Sequence, residues 1–323
     1  MPDHVLALDQ GTTSTRAIVF DRTGASVGSA QQEHQQIFPR AGRVEHDAAE
    51  IWQNTRHVLE AALESSGQDA AAIAAVGVTN QRETVIVWDR RTGEPVHNAL
   101  VWQDTRTQPR IDRLIAQRGV DAFAAVAGLP LATYFSASKV AWILDNVEGA
   151  RERAAQGELL FGTPDTWVVW NLTGGADGGI HITDVTNASR TLLLDLRRRD
   201  WSSRMLRLLD IPEAMMPRVV GSSEVYATCA RVLPGVPIAS ALGDQQAALF
   251  GQTCFDPGDV KCTYGTGAFV LMNVGTSIVA SARGLVPTIA YALPGEAPVY
   301  ALEGPIAMTA CSEQGAHDCN LEQ

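Results

Sequence analysis

The 323-residue chain is 46% hydrophobic and 19% charged, with ordinary glycine and proline, which excludes a fibrous or disordered protein and leaves room for one large core or two medium ones. Its formal charge of -11, with Arg197-Arg198-Arg199 as the longest basic run and read as solvated surface, argues against a nucleic-acid partner. No apolar stretch reaches the ~20 residues of a membrane span. The start MPDHVLAL lacks the features of a signal peptide, and five scattered cysteines without a CxxC pair point to reduced thiols in the cytoplasm.

In chain order, VLALD (5–9) reads as a strand that ends at Asp9, turns through Gly11, Thr12, Thr13 and Ser14, and re-enters a strand at AIVF (17–20). Asp21-Arg22-Thr23-Gly24 is a turn tetrad before a third strand at about 25–31. Asp47-Ala48-Ala49-Glu50 predicts a capped helix whose Ile51, Val58, Leu59, Ala62 and Leu63 share one face. A fourth strand is expected over 74–81, then a hairpin pairing 84–89 with 99–104, and helical patterns at 110–119 and 139–146. Further on, 237–252 runs strand, acid, helix, with Asp244 at the junction that faces the ligand crevice in open α/β sheets. Residues 260–275 repeat the opening: strand, glycine-threonine turn, strand, with Gly265-Thr266 matching Gly11-Thr12. The order specifies an α/β protein with a mixed sheet.

A turn rich in glycine and hydroxyls at a strand end presents backbone N–H groups to anions. Asp9 beside it repels phosphate unless a divalent cation lies between them. Two such hairpins would grip a polyphosphate from both sides, although each alone is also an ordinary turn. Neither is a GxxxxGK[ST] loop, and no GxGxxG follows the first strand. Within NQRET (80–84), Arg82 can donate to a polyol hydroxyl and Glu83 can accept from one. The bland alternative is a surface ion pair. Trp102 and Tyr134 are either apolar walls for a small carbon chain or core aromatics.

ALDQGTTSTRAIVFD (7–21), GVTNQRETVIVWD (77–89), VWQDTR (101–106), YFSASKVAWILDN (134–146), LGDQQAALFGQ (242–252) and YGTGAFVLMN (264–273) together resemble the glycerol kinases of the FGGY carbohydrate kinase family. The resemblance runs from residue 4 to about 308. It implies the actin-like, ribonuclease-H-type α/β fold, with two related domains, about 1–250 and 251–323, and a cleft between them. It also implies ATP-dependent phosphorylation of glycerol to sn-glycerol 3-phosphate with Mg2+, in the cytoplasm, by an enzyme of a family often found as homo-oligomers. By resemblance, Thr12, Thr13, Ser14 and Arg16 contact the nucleotide phosphates, and Asp9 lies near the magnesium. Thr266 holds phosphates from the second domain, and Gln314 lies on the adenine side. Arg82, Glu83, Tyr134, Asp244 and Gln245 bind glycerol, Trp102 and Phe269 close the pocket, and Asp244 is the catalytic base. Three other readings stay open: a non-catalytic glycerol- or phosphate-binding remnant, another sugar kinase of the family, and an actin-like ATPase without a sugar substrate.

The resemblance ends abruptly. Family members have glycine at the position of Ala310 and continue after Gln314 into a helix beginning Trp-Leu-Arg-Asp, where this chain reads GAHDCNLEQ. A divergent tail over 310–323, of the kind a frameshift gives, leaves the second domain incomplete in this reading. The expectation is that residues 1–250 fold and that the rest, with few partners for 260–275, is unstable. Glycerol kinase activity is then absent or very low.

Overall fold

A computed structural model of the chain describes residues 2–264, 268–281 and 284–306. Its first sheet contains β1 (His4–Gln10), β2 (Ser14–Phe20), β3 (Ser26–Glu33), β4 (Ile73–Asn80), β5 (Ser223–Thr228) and β6 (Pro237–Gly243), in the order β5-β6-β4-β1-β2-β3. The chain enters as an antiparallel meander, β1 to β2 to β3. It then crosses over so that β4 lies parallel to β1, and β6 parallel to β4. The register aligns the carboxyl ends of these three parallel strands. Asp9 pairs with Thr79 and Thr79 with Leu242, while Gln10 pairs with Asn80 and Asn80 with Gly243.

The crossover is helix α1 (Ala48–Ser66). Asp47 starts it by accepting from the amides of Ala49 and Glu50, and Gly67 ends it in the left-handed region at φ 66°. Ile51, Val58, Leu59 and Ala62 are fully buried, each of the three larger side chains contributing about 1.5–3 kcal/mol. The helix lies so close to β3 that a Cβ on Gly28 would stand 2.6 Å from the Ala62 carbonyl oxygen. Helix α2 (Gln108–Arg118) and helix α3 (Ser136–Asn146) fall where the 3.6-residue pattern puts them. Helix α4 (Pro164–Leu172) is buried on all sides, and its Trp167 and Trp170 stack on each other and pack edge-on and tilted against Trp88.

The expected hairpin of 84–89 with 99–104 is corrected. Ile86–Asp89 pairs with Leu159–Gly162, and Ala99–Leu100 pairs with Glu45–His46. Single bridges, Val85 to Leu100 and Trp88 to Pro95, are what remain of the hairpin.

A second, wholly antiparallel sheet contains β7 (Val260–Tyr264), β8 (Ala268–Gly275), β9 (Val286–Tyr291) and β10 (Val299–Ile306), in the order β7-β8-β10-β9. The expectation of few partners for 260–275 is therefore corrected: β8 is paired along both edges. Helix α5 (Asp244–Gly251) begins directly at the end of β6 and packs against β7, β8 and β9. Ile289 and Tyr300 of the second sheet join the apolar cluster built by residues 85–216. Leu242 of β6 packs against a separate apolar cluster that holds Phe269, Leu271 and Ala301 of the second sheet.

Candidate active site

The carboxyl ends of β1, β4 and β6 open onto a cavity of about 190 Å³. Three adjacent strands deliver chemistry to it. β1 leads to the Gly11–Ser14 turn, β4 to Gln81-Arg82-Glu83, and β6 to Asp244 and Gln245. Thr12, Thr13, Arg82, Glu83, Trp102, Tyr134, Asp244, Gln245 and Phe269 line one cavity, together with Gln81 and Thr263.

The turn is tied into its surroundings. Gly11 N donates to Ser14 O (2.9 Å), and Gln81 Nε2 donates to Gly11 O (3.0 Å). Gln36 Nε2 donates to Thr12 O (3.0 Å), and Trp102 Nε1 donates to Thr12 Oγ1 (3.0 Å). Ser14 begins β2 and its hydroxyl accepts from Gln31 Nε2 (3.0 Å), away from the cavity. Asp9 and Arg16 face each other across the β1–β2 ladder, outside the cavity wall. The Asp9 side chain touches water, yet the surrounding protein and then the Asp244 carboxylate push its carboxyl up to about 6, against the pull of Arg16. Thr266 and Gln314 lie outside the described residues, as does the turn at Gly265.

Trp102, Tyr134 and Phe269 make the apolar wall, edge to face at 5.7 Å for Trp102–Tyr134 and 6.1 Å for Trp102–Phe269. The segment carrying Tyr134 is pinned by Lys139. Its buried ammonium donates to the carbonyls of Thr133 (2.7 Å), Tyr134 (2.8 Å) and Phe135 (3.4 Å), and burial draws its pKa down to about 7.

The polar wall is a buried charge network. Arg82 and Glu83 are almost fully buried, and neither is a surface ion pair nor the other's partner. Arg82 Nη1 and Nη2 donate to Glu303 Oε2 (2.6 Å) and Oε1 (2.9 Å) on β10. Arg82 Nη1 also donates to Gln246 Oε1 (3.2 Å), and Nε lies 3.2 Å from Asp244 Oδ1. Glu83, at φ 61°, accepts from Arg190 Nε (2.7 Å), and Arg190 Nη2 donates to Glu303 Oε1 (3.1 Å). The two guanidinium groups hold the Glu303 carboxyl well below the ordinary carboxylate range, overcoming its burial. Asp244 is half-buried at the rim, its oxygens accepting from Gln245 N (2.7 Å) and Gln245 Nε2 (3.0 Å). Lys261 on β7 donates to Gln245 Oε1 and to Thr263 Oγ1 (3.0 Å). Burial, followed by the nearby Arg82 charge, draws the Lys261 pKa down to about 8.

Sequence reasoning missed Arg190, Gln246, Lys261 and Glu303. The signal for Glu303 was an acid inside the apolar strand VYALEGPI, since a lone charge in such a strand is buried and paired.

Such an arrangement can orient a small polyol with paired donors and acceptors, hold an anion at the turn, and accept a proton at Asp244. Residues 4–251 match the FGGY family of carbohydrate kinases, N-terminal domain, and the chain belongs to that family. It is 60% identical over 318 residues to a glycerol kinase of Methylorubrum populi, covering 98% of this chain and 64% of that protein. It is 57% identical over 317 residues to a glycerol kinase of Clavibacter michiganensis, covering 98% and 63%. The chain therefore spans a little under two thirds of these relatives' length. Among solved structures, a Plasmodium falciparum glycerol kinase with ADP superposes with a TM-score of 0.89 at 36% identity, over 94% of this chain and 61% of that one. A xylulose kinase from Rhodospirillum rubrum superposes at 0.83 and 23% identity, over 95% and 61%, a likeness of fold. The fold is the actin-like α/β fold of these kinases. Among the described residues no helix is long and apolar enough to cross a membrane.

Proposed function

We propose that the chain carries the glycerol site and the first phosphate loop of an ATP-dependent glycerol kinase, which makes sn-glycerol 3-phosphate in the cytoplasm. The carrying observation is the convergence of Arg82, Glu83, Tyr134, Asp244 and Gln245, under Trp102 and Phe269, on one small cavity beside Thr12 and Thr13. In this reading residues 1–250 form the first domain and residue 251 onward begins the second, with homo-oligomers as in the family.

Each residue has a physical task. A guanidinium has five N–H groups. Three of those on Arg82 donate to Glu303 and Gln246, and its Nε lies 3.2 Å from Asp244, which leaves the second Nη2 N–H for a glycerol hydroxyl. Glu83 accepts from a second hydroxyl, and the aromatic wall covers the carbon chain. Asp244 takes the proton of the attacking hydroxyl, because a carboxylate at the rim reaches the ligand while its other contacts fix its orientation. Thr12, Thr13, Ser14, Arg16 and Thr266 would receive the phosphates, with Gln314 toward the adenine. Asp9 offers one carboxylate in a water-accessible cleft, the setting magnesium takes with waters and substrate phosphates completing its shell. When bound, the ion neutralises phosphate charge during transfer.

Calorimetric titration of the chain with glycerol, followed by ADP release with glycerol and Mg-ATP, tests this. Saturable glycerol binding is expected, with D-xylulose bound more weakly. Any glycerol-dependent ADP release should fall by at least ~100-fold in Asp244→Asn. A folded chain that does not bind glycerol refutes the reading.

A further inference from the structure

We propose that Glu303, supplied by the second sheet, is the positioning residue of the polyol subsite. It fixes Arg82 directly and Glu83 through Arg190, so that glycerol is bound well when β10 holds Glu303 against these two arginines. This rests on the reading of the cavity as a glycerol site.

The Arg82 side chain is buried, so its orientation depends on partners rather than water. Two carboxylates compete for it. Glu303 takes a two-point bond at 2.6 and 2.9 Å, and Asp244 has one contact at 3.2 Å. Bidentate pairing is the stronger and more directional arrangement, so Glu303 sets the plane of the guanidinium. The same carboxylate receives Arg190 Nη2, and Arg190 Nε holds Glu83. One acid therefore orients both members of the Arg82-Glu83 run, across 221 residues of sequence.

Without Glu303 the buried cluster holds Arg82, Arg190 and Glu83, one uncompensated positive charge. Asp244 is the carboxylate left within reach of Arg82. Arg82 then turns toward Asp244, abandons the glycerol hydroxyl, and occupies the oxygen meant for the transferred proton. Glu303 touches neither glycerol nor nucleotide in this account; it acts through Arg82 and Arg190.

The test titrates glycerol by calorimetry into the full chain, Glu303→Gln and Glu303→Asp, at a temperature where circular dichroism shows each folded, alongside thermal melts. Glu303→Gln keeps the shape and removes the charge. Glu303→Asp keeps the charge and shortens its reach by one methylene. Glycerol affinity is expected to fall about 10- to 100-fold in Glu303→Gln and by less in Glu303→Asp, the range for losing a charged hydrogen bond behind a ligand-contacting group. A folded Glu303→Gln with lowered melting temperature and wild-type affinity makes Glu303 a structural residue and overturns the proposal. If Glu303→Gln fails to fold, wild-type affinity in Glu303→Asp overturns it. Absence of glycerol binding in the wild-type chain overturns this proposal together with the reading beneath it.

Discussion

Replacing Arg82 by Met should destabilise the protein far more than removing a surface arginine would. The variant leaves Glu303 fully buried with one remaining donor, Arg190 Nη2 at 3.1 Å, in place of three charged hydrogen bonds. Asp244 also loses a contact, but its side chain is 36% exposed and water replaces Arg82 there. The penalty thus falls on Glu303, and breaking a buried pair by removing one partner costs about 3–5 kcal/mol. At roughly 1.5 °C per kcal/mol for a protein of this size, the melting temperature should fall by about 4–8 °C. The companion variant Arg82→Met/Glu303→Leu removes both charges and leaves Arg190 and Glu83 as a neutral pair at 2.7 Å. It should recover most of the loss, because an apolar pair of similar volume replaces a buried ion pair at little net cost. Urea denaturation followed by tryptophan fluorescence measures both. A loss under ~1 kcal/mol in the single variant, or a double variant no better than the single, would mean that Glu303 does not depend on Arg82 for its charge.

Gly243→Ala should weaken glycerol binding at least ~10-fold while leaving the fold intact, since the new Cβ would stand 2.6 Å from Arg82 Cδ and 2.7 Å from its Cγ and displace it; calorimetry reads this, and unchanged affinity counts against a fixed Arg82. His46 is buried, and that burial, with His34 nearby, holds its pKa down at about 3 against an ordinary 6.5. The unfolded chain takes up that proton and the folded one does not, so stability is present above 6.5 and lost as pH falls toward 3 at about 1.4 kcal/mol per unit. His46→Gln should gain about 1–2 kcal/mol on wild type between pH 6.5 and 5, and parallel stability curves would contradict it. Asp9, raised to about 6, has the opposite sign: its contribution is present below its ordinary value of 3.8 and lost as pH rises through 6. Asp9→Asn should therefore melt higher than wild type at pH 8 and lose that advantage by pH 4, while binding Mg-ADP less well. A variant less stable than wild type at pH 8 would exclude the strained carboxylate.

The stretch up to the end of β4 was the most legible, because local rules govern it. Asp47 caps its own helix and Gly11 closes its own turn. Asp244 was found because a strand-to-helix junction fixes an acid at a sheet end whatever the surroundings. What stayed hidden depends on distant chain. The partners of Arg82 and Glu83 sit 221 and 107 residues away, and nothing local to NQRET announces them. Ile86–Asp89 looked like one arm of a hairpin because 99–104 was close and apolar, but Leu159–Gly162 offered a longer ladder. Helix α4 is buried on every face, so its apolar residues carry no 3.6-residue contrast.

The alignment of β1, β4 and β6 at one end of the sheet bears on how such a site can change. Asp9 lies at the end of β1, and the Arg82-Glu83 run and Asp244 follow β4 and β6, strands whose last residues share one rung. Inserting a residue within any of these strands would turn its side chains to the opposite face and scatter the charges. Insertions beyond the strand ends leave the rungs untouched. Mutational drift is thereby channelled into the connecting loops, where Trp102 and Tyr134 reside. Such a lineage can trial new carbon skeletons against an electrostatic frame it is not free to rearrange.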